Sequence, residues 1–394
     1  MARVDQRSGV VAELLERLDG TSSDRFVDTV FDVLSDHFDI AGASLYVVDY
    51  GENSLRPFRA SGTPASRDPR PDMRTSVAGK VLSERSATVE EADDAIVWLP
   101  VSQRGEAVGV LGVTMRARAD ADLLLQVAGG LSVALGAAIV GARRRYDLLE
   151  ATRGASELTL EAAIQWSVLA PTIHEEPGLE VAARVEPATE YAGDAWDFSL
   201  REGALSFALF DAVGHGVKAA ILSGLAINSY RWSRRRGEPL EATVQALDRI
   251  IAVYGDDEPF VTANVCELDR RSGVLTWVCA GHPAPLVITG GRAEPLLCCE
   301  RIPPLGLAGE IRVHRQRLVP GSVTVLYSDG VVEATDGTRE RYSVPRLEQI
   351  AVDRIDRERR LSLVVRDILD DVLAYTGGTL RDDATLFGVR WSPT

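Results

Sequence analysis

The run Leu205-Ser206-Phe207-Ala208-Leu209-Phe210-Asp211-Ala212-Val213-Gly214-His215-Gly216 decides how this chain is read. Leu205 to Phe210 alternates as an antiparallel strand, and the strand delivers Asp211 at its end. Three further acidic clusters share this placement beside an apolar, strand-like run: Gly193-Asp194-Ala195-Trp196-Asp197, Ser328-Asp329-Gly330 and Arg381-Asp382-Asp383-Ala384-Thr385. A β-scaffold could bring these carboxylates into one pocket, where they would repel one another strongly unless cations neutralised them. Oxygen-only ligand sets suit Mg²⁺ or Mn²⁺ rather than zinc, and two such ions can activate a water for phosphoester hydrolysis.

Around that run, strands are expected at Leu179 to Val185, Phe198 to Arg201, Phe260 to Leu268, Val274 to Ala280, Leu286 to Thr289, Val313 to Leu318, Val323 to Tyr327 and Ala384 to Trp391. Helices are expected at Val217 to Trp232, Leu240 to Tyr254, Pro345 to Val352 and Arg360 to Tyr375. Strand runs separated by paired helices predict two sheets with helices outside, an αββα sandwich.

The rest of the chain bounds the answer. At 394 residues it is long enough for two or three domains, and 45% hydrophobic content supports packed cores. With 43 basic against 58 acidic residues the formal charge is −15, which argues against nucleic acid as a partner. The four cysteines, Cys266, Cys279, Cys298 and Cys299, show no C-x-x-C spacing, so neither a zinc site nor a disulfide framework is indicated. The N-terminus lacks the apolar core of a signal peptide, and we expect a cytoplasmic protein. Leu123 to Ala142 is apolar enough to cross a bilayer and runs into Arg143-Arg144-Arg145. A span there would put the preceding, signal-less domain outside the cell, so we expect instead a Gly/Ala-rich helix buried between two subunits, and no membrane contact.

The first half begins with a short amphipathic helix within residues 1–20. A helix from Asp24 to Phe38 follows, then strands Ala43 to Asp49 and Leu55 to Ser61, a helix Ser76 to Glu84, and strands Ala87 to Glu90, Ile96 to Ser102 and Ala107 to Met115. This order, with Val77-Ala78-Gly79-Lys80-Val81-Leu82 and Leu99-Pro100-Val101, resembles a GAF domain over residues 21–142, which implies a sensory or dimerisation module. With no cysteine before Cys266 a thioether-linked tetrapyrrole is excluded, and the GAF ligand stays unassigned. The apolar spacing from Asp122 to about Leu169 reads as a helical connector, with residues 143–170 as a coiled-coil-like linker; alternatively the connector's first half packs on its own sheet, and the two are compatible.

From about residue 165 the chain resembles the SpoIIE-type branch of the metal-dependent (PPM) protein phosphatases. The resemblance rests on Tyr191-Ala192-Gly193-Asp194-Ala195-Trp196-Asp197, Asp211 to Gly216, Phe260-Val261-Thr262-Ala263, Ala280-Gly281-His282-Pro283, Pro304-Leu305-Gly306, Ser328-Asp329-Gly330 and Asp382-Asp383-Ala384-Thr385, in order. It implies an α/β (α+β) phosphatase domain over 171–394 with a binuclear Mn²⁺ or Mg²⁺ centre. Asp211 would bridge both ions with help from the Ala212 carbonyl, Asp194 would complete one ion's shell, and Asp329 with Asp382 the other's. Asp382 is preferred over Asp383 because it lies three residues before Thr385, as in related motifs. Asp197, Asp383 and His215 are second-sphere candidates, and His282 is taken as second-sphere or structural. Ala192 and Ala212 depart from glycines common in the family. The implied activity is phosphoserine or phosphothreonine hydrolysis, on an anti-sigma-factor antagonist in bacterial partner-switching, gated by the GAF domain in a homodimer joined through that domain and the linker. The rival readings are a catalytically silent scaffold, which should have lost a metal carboxylate, and a small-molecule phosphohydrolase.

Overall fold

The computed structural model describes residues 2–50, 54–62, 70–91, 94–103, 106–143, 147–154, 158–188, 193–254, 259–296, 302–355 and 359–393. Ala192, the Cys298-Cys299 pair and the tips of the turns expected near residues 51–53 and 104–105 lie outside them. The chain divides into two compact units, Met1–Glu157 and Leu158–Thr394.

The first unit runs α1 (Ala2–Asp19), α2 (Phe26–Ser35), β1 (Ile40–Val48), β2 (Leu55–Gly62), α3 (Val77–Glu84), β3 (Thr88–Glu90), β4 (Ile96–Gln103), β5 (Glu106–Met115), α4 (Arg118–Arg143) and α5 (Asp147–Arg153). Its antiparallel sheet has the order β2-β1-β5-β4-β3. Helices α1, α2 and α4 bury one face with Leu45, Val47, Leu99 and Val113, while α3 covers Tyr46, Trp98 and Val110 on the other. The alternation along β1 that sends Leu45 and Tyr46 to opposite cores is the period of two expected of a strand.

Two expectations meet a different arrangement here. The helix within residues 1–20 is not a separate lead-in, because Val10, Leu14 and Leu18 belong to the unit's core. Helix α4 is long and apolar enough to cross a membrane, yet Leu124, Leu131, Leu135 and Ile139 are fully buried against the unit's own elements. Each such side chain contributes about 1.5–3 kcal/mol when buried, so the sheet satisfies this apolar face. At Gly136 the helix closes on the Ser102 carbonyl, where a Cβ would stand 2.3 Å away. Ala121, Ala128, Ala134 and Gly136 thus pack inside the unit, whereas Gly129, Gly130 and Ala137 are exposed, as are Leu123 and Val133 at 47% and 63%.

The expected linker is divided as well. Helix α5 packs in the first unit, where the Tyr50 hydroxyl donates to Glu150 and Arg153 Nε donates to the Val48 carbonyl at 3.2 Å. Helix α6 (Leu160–Val168), capped by the Thr159 hydroxyl, opens the second unit.

That unit continues β6 (Ile173–Glu176), β7 (Leu179–Glu186), β8 (Ala195–Arg201), β9 (Ala204–Ala212), α7 (Gly216–Arg235), α8 (Leu240–Ala252), β10 (Val261–Asp269), β11 (Val274–Ala280), β12 (Leu286–Thr289), β13 (Arg292–Pro295), β14 (His314–Arg317), β15 (Val323–Tyr327), α9 (Asp329–Val332), α10 (Val344–Arg354), α11 (Leu361–Thr376) and β16 (Ala384–Trp391). Its two sheets have the orders β14-β11-β10-β9-β8 and β13-β12-β15-β16-β7-β6. Leu205, Phe207, Leu209 and Trp196 of the first meet Val181, Leu326, Phe387 and Val389 of the second, with the Phe207 and Phe387 rings stacked at 5.8 Å. Helices α7 and α8 cover the outer face of the first sheet, and α10 and α11 that of the second. The unit is the αββα sandwich that the strand and helix order predicts. Strands β6 and β13, four residues each, carry too little alternation to be read from sequence.

Candidate metal centre

Two antiparallel pairings bring the acidic clusters together. In the first sheet Ala195 pairs with Phe210, so Asp194, just before β8, comes beside Asp211, one residue from the end of β9. In the second sheet Tyr327 pairs with Leu386, so Asp329, just after β15, comes beside Asp382 and Asp383, just before β16. A cross-sheet bond joins the pairs, the Thr385 hydroxyl donating to Asp194 Oδ2 at 2.5 Å.

The flanking glycines explain why these turns carry their sequences. A Cβ on Gly193 would lie 2.4 Å from the Ala212 carbonyl oxygen, and one on Gly330 only 2.1 Å from that of Asp383. Only glycine lets each loop pass so close, and each passage seats an aspartate against its partner cluster. Hydrogen bonds then stitch the second pair: Ser328 Oγ donates to the Asp383 carbonyl at 3.1 Å and accepts from Thr385 N at 2.9 Å. Asp329-Gly330, which taken alone reads as a turn, starts the one-turn helix α9 behind its N-cap Ser328. From α6, the fully buried Gln165 amide donates to the Asp194 carbonyl.

The electrostatics single out Asp211. Burial pushes its carboxyl up to about 7, helped by Asp329, Asp382 and Asp383. Burial, then Asp211 and Asp383, push Asp194 well above the usual carboxylate range, against hydrogen bonds from Thr385 and Ser328. Asp329 is raised by burial, Asp382 and Glu333. Asp211 thus feels the charges of Asp329, Asp382 and Asp383, and Asp194 those of Asp211 and Asp383. The strongest charges acting on these acids are other carboxylates, the situation a divalent cation relieves. Among the described residues no three Asp, Glu, His or Cys side chains are gathered tightly enough to hold an ion as they stand. The donor chemistry, carboxylates and a backbone carbonyl, fits Mg²⁺ or Mn²⁺.

The remaining candidates fall as follows. Asp383 is buried and accepts from Ala188 N at 2.9 Å, while Asp382 is exposed and accepts from Asp383 N at 2.9 Å. The Ala212 carbonyl lies against Gly193, and exposed His215 is the N-cap of α7. Asp197 turns the other way. Trp196 faces the inter-sheet core, so Asp197 faces α7, where Arg231 Nη2 and Arg234 Nη2 bind its two oxygens at 2.7 and 2.6 Å.

A residue that spacing alone leaves without a role stands behind Asp211. His282 is fully buried, and its Nδ1 lies 2.7 Å from the hydroxyl of Thr262, which pairs with Asp211 in the β9–β10 ladder. That hydroxyl makes a long 3.5 Å contact to Asp211 Oδ2. Burial holds the imidazole down to about 3, so it is neutral at physiological pH. Thr262 and His282 both lie in quoted motifs, but their pairing appears only once β10 is laid beside β9.

Comparison with known proteins places this geometry. The family described as Stage II sporulation protein E (SpoIIE) matches residues 201–392, a segment that contains Asp211, Asp329 and Asp382 and begins after Asp194. The phosphoserine phosphatase RsbU of Bacillus subtilis is 24% identical over 246 residues, covering 60% of this chain and 70% of RsbU. Protein IcfG of Synechocystis sp. is 23% identical over 273 residues, covering 61% of this chain and 42% of IcfG. The solved RsbU and RsbW domains of a Mycobacterium tuberculosis protein superpose with a TM-score of 0.50 at 28% identity, over 55% of this chain and 62% of that one. This chain thus spans less than two thirds of the length of that solved chain and of IcfG. With the αββα sandwich and the converging aspartates already in place, residues 201–392 match the SpoIIE family and the C-terminal unit is similar to the phosphatase RsbU and to a solved RsbU domain.

Proposed function

We propose that this chain is a metal-dependent protein phosphatase acting on phosphoserine or phosphothreonine, with a phosphorylated anti-sigma-factor antagonist of a partner-switching pathway as its substrate. One observation carries the reading: the β8–β9 and β15–β16 pairings bring Asp194 beside Asp211 and Asp329 beside Asp382, and the Thr385 hydroxyl joins the two sheets at Asp194. Asp194, Asp211, the Ala212 carbonyl, Asp329 and Asp382 would hold two Mn²⁺ or Mg²⁺ ions, which when bound supply an acidified water and neutralise phosphate charge. The protein's own part is positioning. Thr385 fixes the Asp194 carboxylate, Gln165 fixes its backbone, and neutral His282 holds Thr262 beside Asp211 without adding a charge. Asp383 adds negative charge behind Asp194 and is itself anchored by Ala188 N. All four carboxylates are present, which favours an enzyme over a silent scaffold. The likeness to RsbU supports a phosphoprotein substrate.

The helix and strand order of the first unit supports a GAF-like sensor over residues 21–142, regulating the phosphatase in a cytoplasmic homodimer. The decisive experiment is hydrolysis of a phosphoserine protein by the purified full chain. Turnover with Mn²⁺ that stops with chelator is expected, and undiminished turnover in excess chelator would refute the binuclear centre. Comparison of the full chain with residues 158–394 alone tests regulation: equal rate and equal oligomeric state would leave the first unit without that role.

A further inference from the structure

On the α7 side of β8 the second unit has a pocket of about 520 Å³, bordered by Asp197, Ser199, Arg201, Arg231, Arg234 and Arg235. Four guanidinium groups thus face one carboxylate, in a chain whose formal charge is −15. That carboxylate is already saturated: Arg231 Nε and Nη2 bind its Oδ1 at 3.0 and 2.7 Å, and Arg234 Nη2 its Oδ2 at 2.6 Å. Arginines in the last turn of a helix are ordinarily explained by the helix dipole and a neighbouring acid. The Asp197 carboxylate accounts for Arg231 and one arm of Arg234. It leaves Arg234 Nε and Nη1, both buried, with no hydrogen-bond partner while the guanidinium stacks over Tyr230 at 4.4 Å. It also leaves Arg201, whose contact to Glu267 is an exposed 3.4 Å pair, and Arg235, which has no ion pair among the described residues.

Arg201 and Arg235 are exposed and border the pocket, and guanidinium forks match tetrahedral oxyanions. Leu169 and Pro171, also at the pocket, are apolar. A volume of this size suits a compact organic ligand. We propose that this pocket binds a small organic phosphate of nucleotide size, its phosphate on the arginines and its flat apolar part on the Leu169–Pro171 wall. A substrate phosphoserine is the less suitable occupant, because Asp197 points to the α7 face of β8 whereas Thr385 reaches Asp194 from the inter-sheet side.

The test is calorimetric titration of the full chain in excess EDTA, which removes metal-dependent phosphate binding at the aspartate centre. The probes are AMP, adenosine, inorganic phosphate and a phosphoserine peptide. AMP is expected to bind once per chain with a Kd below about 1 mM, more tightly than phosphate or the peptide, with no binding of adenosine. The double variant R201A/R235A, which leaves the Asp197 ion pairs intact, should weaken AMP at least about tenfold. R234K, which keeps the charge but loses the fork, should weaken it in a protein that still melts cooperatively. No saturable AMP binding, binding unchanged in R201A/R235A, or tighter binding of the peptide than of AMP would overturn the assignment.

Discussion

Replacing Asp211 by Asn should stabilise the metal-free protein while abolishing its response to metal. The folded, metal-free chain holds a proton on Asp211 up to about pH 7, whereas in the unfolded chain that proton leaves near 3.8. Between those values the native state binds more protons than the unfolded one, so the metal-free fold loses stability as pH rises through the window and recovers nothing above it. Each tenfold difference in proton affinity is worth about 1.4 kcal/mol, which sets the upper bound of the loss at roughly 4 kcal/mol at pH 8 and roughly 2 kcal/mol at pH 5. Asn keeps the shape and lacks the charge, and it also relieves Asp194 and the other acids that Asp211 repels. For a unit of this size the gain corresponds to a rise in Tm of roughly 8–16 °C at pH 8 in chelator. The assay is thermal unfolding of wild type and D211N in EDTA at pH 5 and pH 8, repeated with Mn²⁺. Wild type should gain about 3 kcal/mol at a hundredfold excess of Mn²⁺ over its Kd, and D211N almost nothing. If D211N in chelator melts no higher than wild type at pH 8, or if its advantage does not grow from pH 5 to pH 8, the reasoning fails.

Other expectations follow from the same geometry. D382N should reduce turnover by more than about a hundredfold and D383N by about 10–100-fold, as measured by phosphoserine hydrolysis at saturating Mn²⁺; the reverse order would make Asp383 the ligand. T262V should raise the Mn²⁺ concentration for half-maximal thermal upshift by about 10–100-fold, with T262S restoring it, and H282N should act in the same direction. A T262V protein with wild-type Mn²⁺ response would show that the Thr262–His282 pair does not position Asp211. D197A leaves Arg231 and Arg234, 22% and 12% exposed, without their carboxylate, and should cost about 3 kcal/mol in urea unfolding. An unchanged midpoint would mean that these ion pairs contribute nothing net.

Much of this protein is written in local pattern. The alternation from Leu205 to Phe210 fixes which side of β9 faces the other sheet, and therefore where Asp211 points, because side chains on a strand alternate with period two. The order of strands and helices announces two sheets with helices outside, and the acids flanked by glycines mark the ends that must meet. Other features depend on long-range contact. Asp197, three residues from Asp194, is carried by that same alternation to Arg231 and Arg234, which lie in a helix begun some twenty residues later. His282 acquires its place beside Thr262 from sheet register, and no spacing encodes that. Helix α4 has the composition of a membrane span or a subunit interface, and composition cannot say which apolar surface will cover it. Its own sheet does so, since hydrophobic burial is non-directional and the partner is chosen by the fold.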